Sequence, residues 1–202
     1  MCLFLCVSCV VTTSCLKQTI VFNTPQQRNV TSLDVFVLVS DDFSHEQKDD
    51  IKRGLALWSF ATNGYVNIEI LPLEWKSITK HTEKCEPVIV FNLGMPFDDA
   101  VKDSNGESVL GITHRRPCSY TTVWLYENEL RSSQSWQVTT AHEFGHSLGL
   151  KHVEEKSAVM NKFYSDYKSL NCLTLSDMNE FCSIYGCDTN NMNFCTTSLT
   201  CM

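Results

Sequence analysis

Apolar and polar positions along this chain follow two rhythms, one of period two and one near 3.6 residues. Leu33–Ser40 (LDVFVLVS) is an apolar, β-branched run and predicts a buried strand. Ser44 then opens a helix, with Gln47 in the capping-box position and Ile51, Leu55 and Trp58 as its buried stripe, and Asn63-Gly64 ends it. Tyr65–Leu71 alternates, placing Val66, Ile68 and Ile70 on one face of a strand. Pro87–Phe91, Val109–Thr113 and Thr122–Tyr126 predict three more strands, the last two separated by a turn at Pro117. Between them Asn92–Ser108 is polar throughout and reads as a long loop. A second helix begins near Ser133–Ser135 and runs through Val138, Ala141 and Leu148 to Gly149. A third starts at Thr174 or Ser176, buries Leu175, Met178, Phe181 and Tyr185, and stops at Gly186. The expected order is β-α-β-β-β-β-α-loop-α, five strands and three helices, with no internal repeat.

Composition narrows the function classes. Of 202 residues, 16 are Lys or Arg and 23 Asp or Glu, a net charge of −7 with no basic run. A nucleic-acid binder, which neutralises phosphates, is therefore not expected. Residues 1–16 (MCLFLCVSCVVTTSCL) are apolar, short for a membrane span and suited to the core of a secretory signal. Retained, the same run would tether the protein to a membrane; no later segment is apolar enough to span one. The chain has 11 cysteines, none in paired C-x-x-C spacing for a structural zinc. They are either disulfides or buried thiols. The polar tail holding Cys187, Cys195 and Cys201 favours disulfides and an oxidising compartment.

The chemistry concentrates in the second helix. His142-Glu143-Phe144-Gly145-His146 puts two imidazoles four residues apart, about 40° around the axis, so both leave one face. Two ring nitrogens so placed can reach one Zn²⁺ at ~2.0–2.1 Å, with Glu143 beside them as a general base that is not a ligand. His152 would point elsewhere if the helix continued. Gly149 can adopt a positive φ and turn the chain back, so that His152 supplies a third ligand. Three ligands leave one position for water, which suits a catalytic rather than a structural zinc. His45, His81 and His114 lie in no ligand spacing.

The string His142-Glu143-x-x-His146-x-x-Gly149-x-x-His152 resembles that of the metzincin zinc endopeptidases. The chain is most similar to their matrixin branch, because Ser157-Ala158-Val159-Met160 follows at the Met-turn spacing and Leu173–Gly186 resembles the final matrixin helix. Pro96-Phe97-Asp98 and Val109–Ile112 resemble the loop and edge strand bordering the family's substrate cleft. The resemblance implies an α+β, zincin-like fold: a twisted mixed five-stranded sheet, three helices, and an active-site helix followed by a Met-turn. It implies Glu143 as catalytic base, His142, His146 and His152 as zinc ligands, Gly149 and Met160 as support, and Leu110, Gly111 and Ile112 as substrate edge strand. Where the family carries a second, structural zinc this chain has Phe91–Met95 without a histidine, so one zinc is expected. The acidic loop with Asp98, Asp99 and Asp103 could take Ca²⁺ as in the family or be a solvated face.

The expected organisation is a signal or anchor over 1–16, a linker or pro-segment over 17–32, a catalytic domain over 33–186 and a Cys-rich tail over 187–202. Two functions are compatible with it: a secreted zinc endopeptidase acting on protein or peptide substrates, or a zinc-bound binding protein on the same fold without proteolysis. The intact Glu143 favours the first.

Overall fold

The computed structural model describes residues 19–22, 32–94, 108–116, 119–163 and 172–198. Residues 1–16, most of the 17–32 segment, Pro96-Phe97-Asp98, the acidic positions Asp98, Asp99 and Asp103, and Pro117–Cys118 lie outside the described residues. In chain order the elements are β1 (Thr19–Phe22), β2 (Leu33–Val39), α1 (His45–Ala61), β3 (Val66–Leu71), α2 (Trp75–Thr82), β4 (Val88–Leu93), β5 (Gly111–His114), β6 (Tyr120–Leu125), α3 (Ser133–Leu148), α4 (Leu175–Tyr185) and β7 (Cys195–Ser198).

Five strands form a mixed sheet in the order β3-β2-β4-β6-β5. The first four are parallel to their neighbours, and β5 runs antiparallel along β6 at the edge. Parallel strands need covering on both faces, which explains the apolar run Val35–Val39 in β2. Val35, Val37, Ile89, Phe91, Val123 and Leu125 point into the main core, where α1 contributes Ile51, Leu55 and Trp58. The opposite face presents Leu38, Val88 and Val90, packed with Ile78 of α2.

Among the described residues α2 makes four α-helices where the pattern predicted three. It is eight residues long, rich in Thr and Lys, and its N-cap Glu74 makes no side-chain cap bond, so the sequence carries no start signal. Only the second sheet face gives Ile78 and His81 somewhere to be buried. Two burial expectations also fail. Ile70, expected inward, is 42% exposed because β3 is an outer strand with one neighbour. Leu175 is 41% exposed because it lies about 90° from the stripe of Thr174, Asp177, Met178 and Phe181.

The other helix signals hold. Ser44 caps α1 in a capping box with Gln47, Ser132 caps α3 with Ser135, and Thr174 caps α4 with Asp177. The tail closes on the body: Met192 and Phe194 are buried in the main core, and β7 pairs antiparallel with β1. Disulfides Cys172–Cys195 and Cys182–Cys187 tie it to α4 and the segment before it. Cys85 is also disulfide-bonded, and Cys118 lies outside the described residues.

Candidate metal centre and cleft

Helix α3 is held on the sheet by α1. The Trp58 indole N–H donates to the Ala141 carbonyl at 2.8 Å, and buried Asp50 accepts from Ser133 Oγ (2.5 Å) and Gln137 Nε2 (2.8 Å). These bonds fix the helix axis and rotation, and with them the directions of His142 and His146. At its C-terminus Gly149 has φ 100°, a left-handed conformation that L-residues with a Cβ rarely adopt. The chain turns there as the motif predicted, and Tyr185 Oη donates to the Leu148 carbonyl at 2.8 Å, satisfying one carbonyl of the last turn.

The turn brings the three histidines together. His152 Nε2 lies 3.1 Å from His146 Nε2 and 3.2 Å from His142 Nε2. Three nitrogens ~2.0–2.1 Å from one tetrahedral ion would stand roughly 3.3 Å apart, so the spacing fits zinc. The tautomers fit too. His142 Nδ1 donates to the Val159 carbonyl at 2.7 Å and His146 Nδ1 to the Leu150 carbonyl at 2.8 Å. A carbonyl only accepts, so each Nδ1 carries the proton and each Nε2 presents a lone pair. Lone pairs converging at this distance repel unless a cation joins them. Burial lowers the pKa of His146, which keeps its ring neutral and able to bind metal below its ordinary titration range.

Beneath the histidines sits Met160, fully buried. A Cβ on Gly145 would fall 2.4 Å from Met160 Sδ and 2.9 Å from Trp58 Cζ2, so only glycine lets the Met-turn approach α3 this closely. Asp177 of α4 anchors that turn. Its carboxylate accepts the backbone N–H groups of Val159 (3.0 Å), Met160 (2.8 Å) and Thr174 (2.8 Å) and the Thr174 hydroxyl (3.0 Å). Burial pushes Asp177 above the usual carboxylate pKa, and these donors hold it back.

Glu143 is 5% exposed, and burial raises its pKa to about 7, opposed by a hydrogen bond from Thr113. Thr113 Oγ1 donates to Glu143 Oε2 at 2.6 Å and also lies 3.0 Å from the Glu143 carbonyl. A Cβ on Gly111 would come within 2.8 Å of Glu143 Cγ, so the edge strand closes directly on the acid. The histidines and Glu143 line a cleft of about 760 Å³, bounded by β5 with Leu110, Gly111 and Ile112 on one side and by Val159, Asn161 and Phe163 on the other. His142, Glu143, His146, Gly149, His152 and Leu110–Ile112 thus line one cleft, with Met160 buried beneath the histidines.

Thr113 and Asp177 escaped the sequence reading. Asp177 stood in the N3 position of a capping box, which the spacing from Thr174 reveals, but its second role as anchor of Val159 and Met160 has no local signal. Thr113 looked like an ordinary strand residue. Among the described residues, His142, His146 and His152 form the single group of three side chains able to hold a metal ion.

The family model described as matrixin matches residues 35–186, a span of 152 of the 202 residues. Among curated proteins, no sequence matches the chain.

Proposed function

The chain belongs to the matrixin family, a family of zinc metalloproteases, and from that premise we propose that it is a secreted zinc endopeptidase that cleaves peptide bonds within protein substrates. The observation that carries this reading is the convergence of three imidazole Nε2 atoms beside a buried carboxylate on an open cleft. His142, His146 and His152 would hold the zinc, and Asp177 and Met160 would keep the floor beneath it in place. When bound, the metal supplies Lewis-acid polarisation and makes water a nucleophile near neutral pH.

The protein's own residues supply the proton chemistry. Glu143 takes a proton from the attacking water as its oxygen bonds to the scissile carbonyl carbon. It then gives that proton to the amine nitrogen as the C–N bond breaks. Burial disposes Glu143 to hold a proton, and the hydroxyl of Thr113 fixes one of its carboxylate oxygens at the edge of the cleft. The open edge of β5 would add the substrate as a further strand, binding it through backbone hydrogen bonds. Bridges at Cys172–Cys195, Cys182–Cys187 and Cys85 support an oxidising, extracellular setting. No helix among the described residues is long and apolar enough to cross a membrane.

Elemental analysis together with a peptide-library digest, with and without a zinc chelator, tests the reading. We expect one zinc per chain, lost in His152→Ala, and internal peptide cleavage that the chelator abolishes. A protein that binds zinc yet cleaves no peptide would leave the binding-protein reading in its place.

A further inference from the structure

Along the edge strand, residues two apart point the same way. Gly111 and Thr113 both face α3, the first closing on Glu143 and the second bonding it. Arg115, the next in the series, lies just past the end of β5 and faces the same helix one and a half turns further on. Its Nη1 stands 2.6 Å from where a Gly149 Cβ would be, so the guanidinium occupies the notch left by that missing side chain. There it lies at the C-terminus of α3, where the helix dipole favours a cation. It is near enough to Tyr185 to oppose the rise in that phenol's pKa.

Three further facts bear on its use. Arg115 is exposed and lines the cleft together with His146, Gly149 and His152. Among the described residues no hydrogen bond or ion pair engages its guanidinium, which carries five N–H donors. Among the described residues, the acid lining the cleft is Glu143, which is buried and turned to Thr113, and Lys162 lines the opposite wall over the Phe163 ring.

We propose that Arg115 is a specificity-determining residue, selecting substrates that carry an Asp or Glu side chain two to three residues from the scissile bond on one flank. This rests on the endopeptidase reading and names its substrate class. The offset follows from strand geometry. Thr113 marks the level of Glu143, and Arg115 lies two residues, roughly 6.5–7 Å, further along the strand against which the substrate would pair. A planar guanidinium suits a carboxylate, which it can engage through two parallel N–H···O bonds. The pair forms at a surface that the bound peptide covers, so its effect exceeds that of a fully exposed ion pair.

The test compares the wild-type protein with Arg115→Gln and Arg115→Glu in two measurements. In a peptide-library digest, wild type should enrich Asp and Glu at a single position two or three residues from the cut. Arg115→Gln should lose that enrichment, and Arg115→Glu should turn it into one for Lys and Arg. For one matched peptide pair, Asp against Asn at that position, the wild-type preference in kcat/KM should be about tenfold and fall to near one in Arg115→Gln. The Asp-to-Asn ratio is taken within each protein, so that any change in overall rate divides out. The second measurement is equilibrium binding of the same two peptides, fluorescently labelled, to a Glu143→Ala background with and without Arg115→Glu. Weaker binding of the Asp peptide alone is expected on adding the charge reversal. An identical cleavage profile in wild type and Arg115→Glu would overturn the proposal. If no peptide is cut at all, the endopeptidase reading fails by itself, and equal binding of the Asp peptide with and without Arg115→Glu would overturn this one independently.

Discussion

Gly145→Ala separates local helix chemistry from tertiary packing. Position 145 lies inside α3, where alanine is intrinsically favoured over glycine by about 1 kcal/mol, so propensity alone predicts a more stable protein. The structure predicts the reverse. The new methyl would sit 2.4 Å from Met160 Sδ, 3.2 Å from its Cε and 2.9 Å from Trp58 Cζ2, and both neighbours have 0% exposure. Methionine is flexible, but its surroundings leave it no room to move. Overpacking of this kind costs ~1–3 kcal/mol, which should outweigh the propensity gain and leave a net loss of about 1 kcal/mol. For a domain of this size that lowers Tm by about 2–4 °C. The displacement should also reach the metal. Moving Met160 moves Val159, whose carbonyl orients His142 through the 2.7 Å bond, and loss of such an orienting partner typically weakens metal affinity ~10-fold or more. Thermal unfolding of the zinc-loaded protein and competition against a chromophoric chelator read the two effects. Met160→Ala in the Gly145→Ala background removes the closest clash and leaves the one with Trp58, so the double-mutant cycle should show a favourable coupling. A Gly145→Ala protein with a higher Tm and parental zinc affinity would refute the reasoning.

Two other outcomes follow from the same geometry. In chelated protein, Glu143 has a folded-state pKa near 7 against an ordinary value near 4.5. Stability relative to Glu143→Gln should then be greatest below pH ~4.5 and decline by roughly 3 kcal/mol as pH rises through 7, because ionisation favours the unfolded chain. Denaturant midpoints across that range check it, and a flat difference would show that the acid is better solvated than its burial implies. Asp177→Ala should destabilise by at least ~3 kcal/mol, since it strips a buried acceptor from three backbone N–H groups. Urea unfolding measures this, with Asp177→Asn, which keeps one acceptor oxygen, losing less.

The elements that the sequence determined by itself are those whose signals are local. The capping boxes at Ser44, the alternation at Val66–Ile70 and the glycine stop at Gly149 each depend on residues within one or two turns, and each produced its element. The metal motif is local in the same sense. Histidines four apart on a helix face together whatever surrounds them, and a glycine three residues on can turn the chain back. What the tertiary structure decided concerns surfaces that meet from distant parts of the chain. Helix α2 exists because the sheet has a second apolar face to cover, and no pattern within Trp75–Thr82 announces it. Thr113 reaches Glu143 across 30 residues, Asp177 reaches Met160 across 17, and Gly145 must be glycine because Trp58 and Met160 close over it. Their roles come from close packing between separate elements, and such packing leaves no periodicity along the chain.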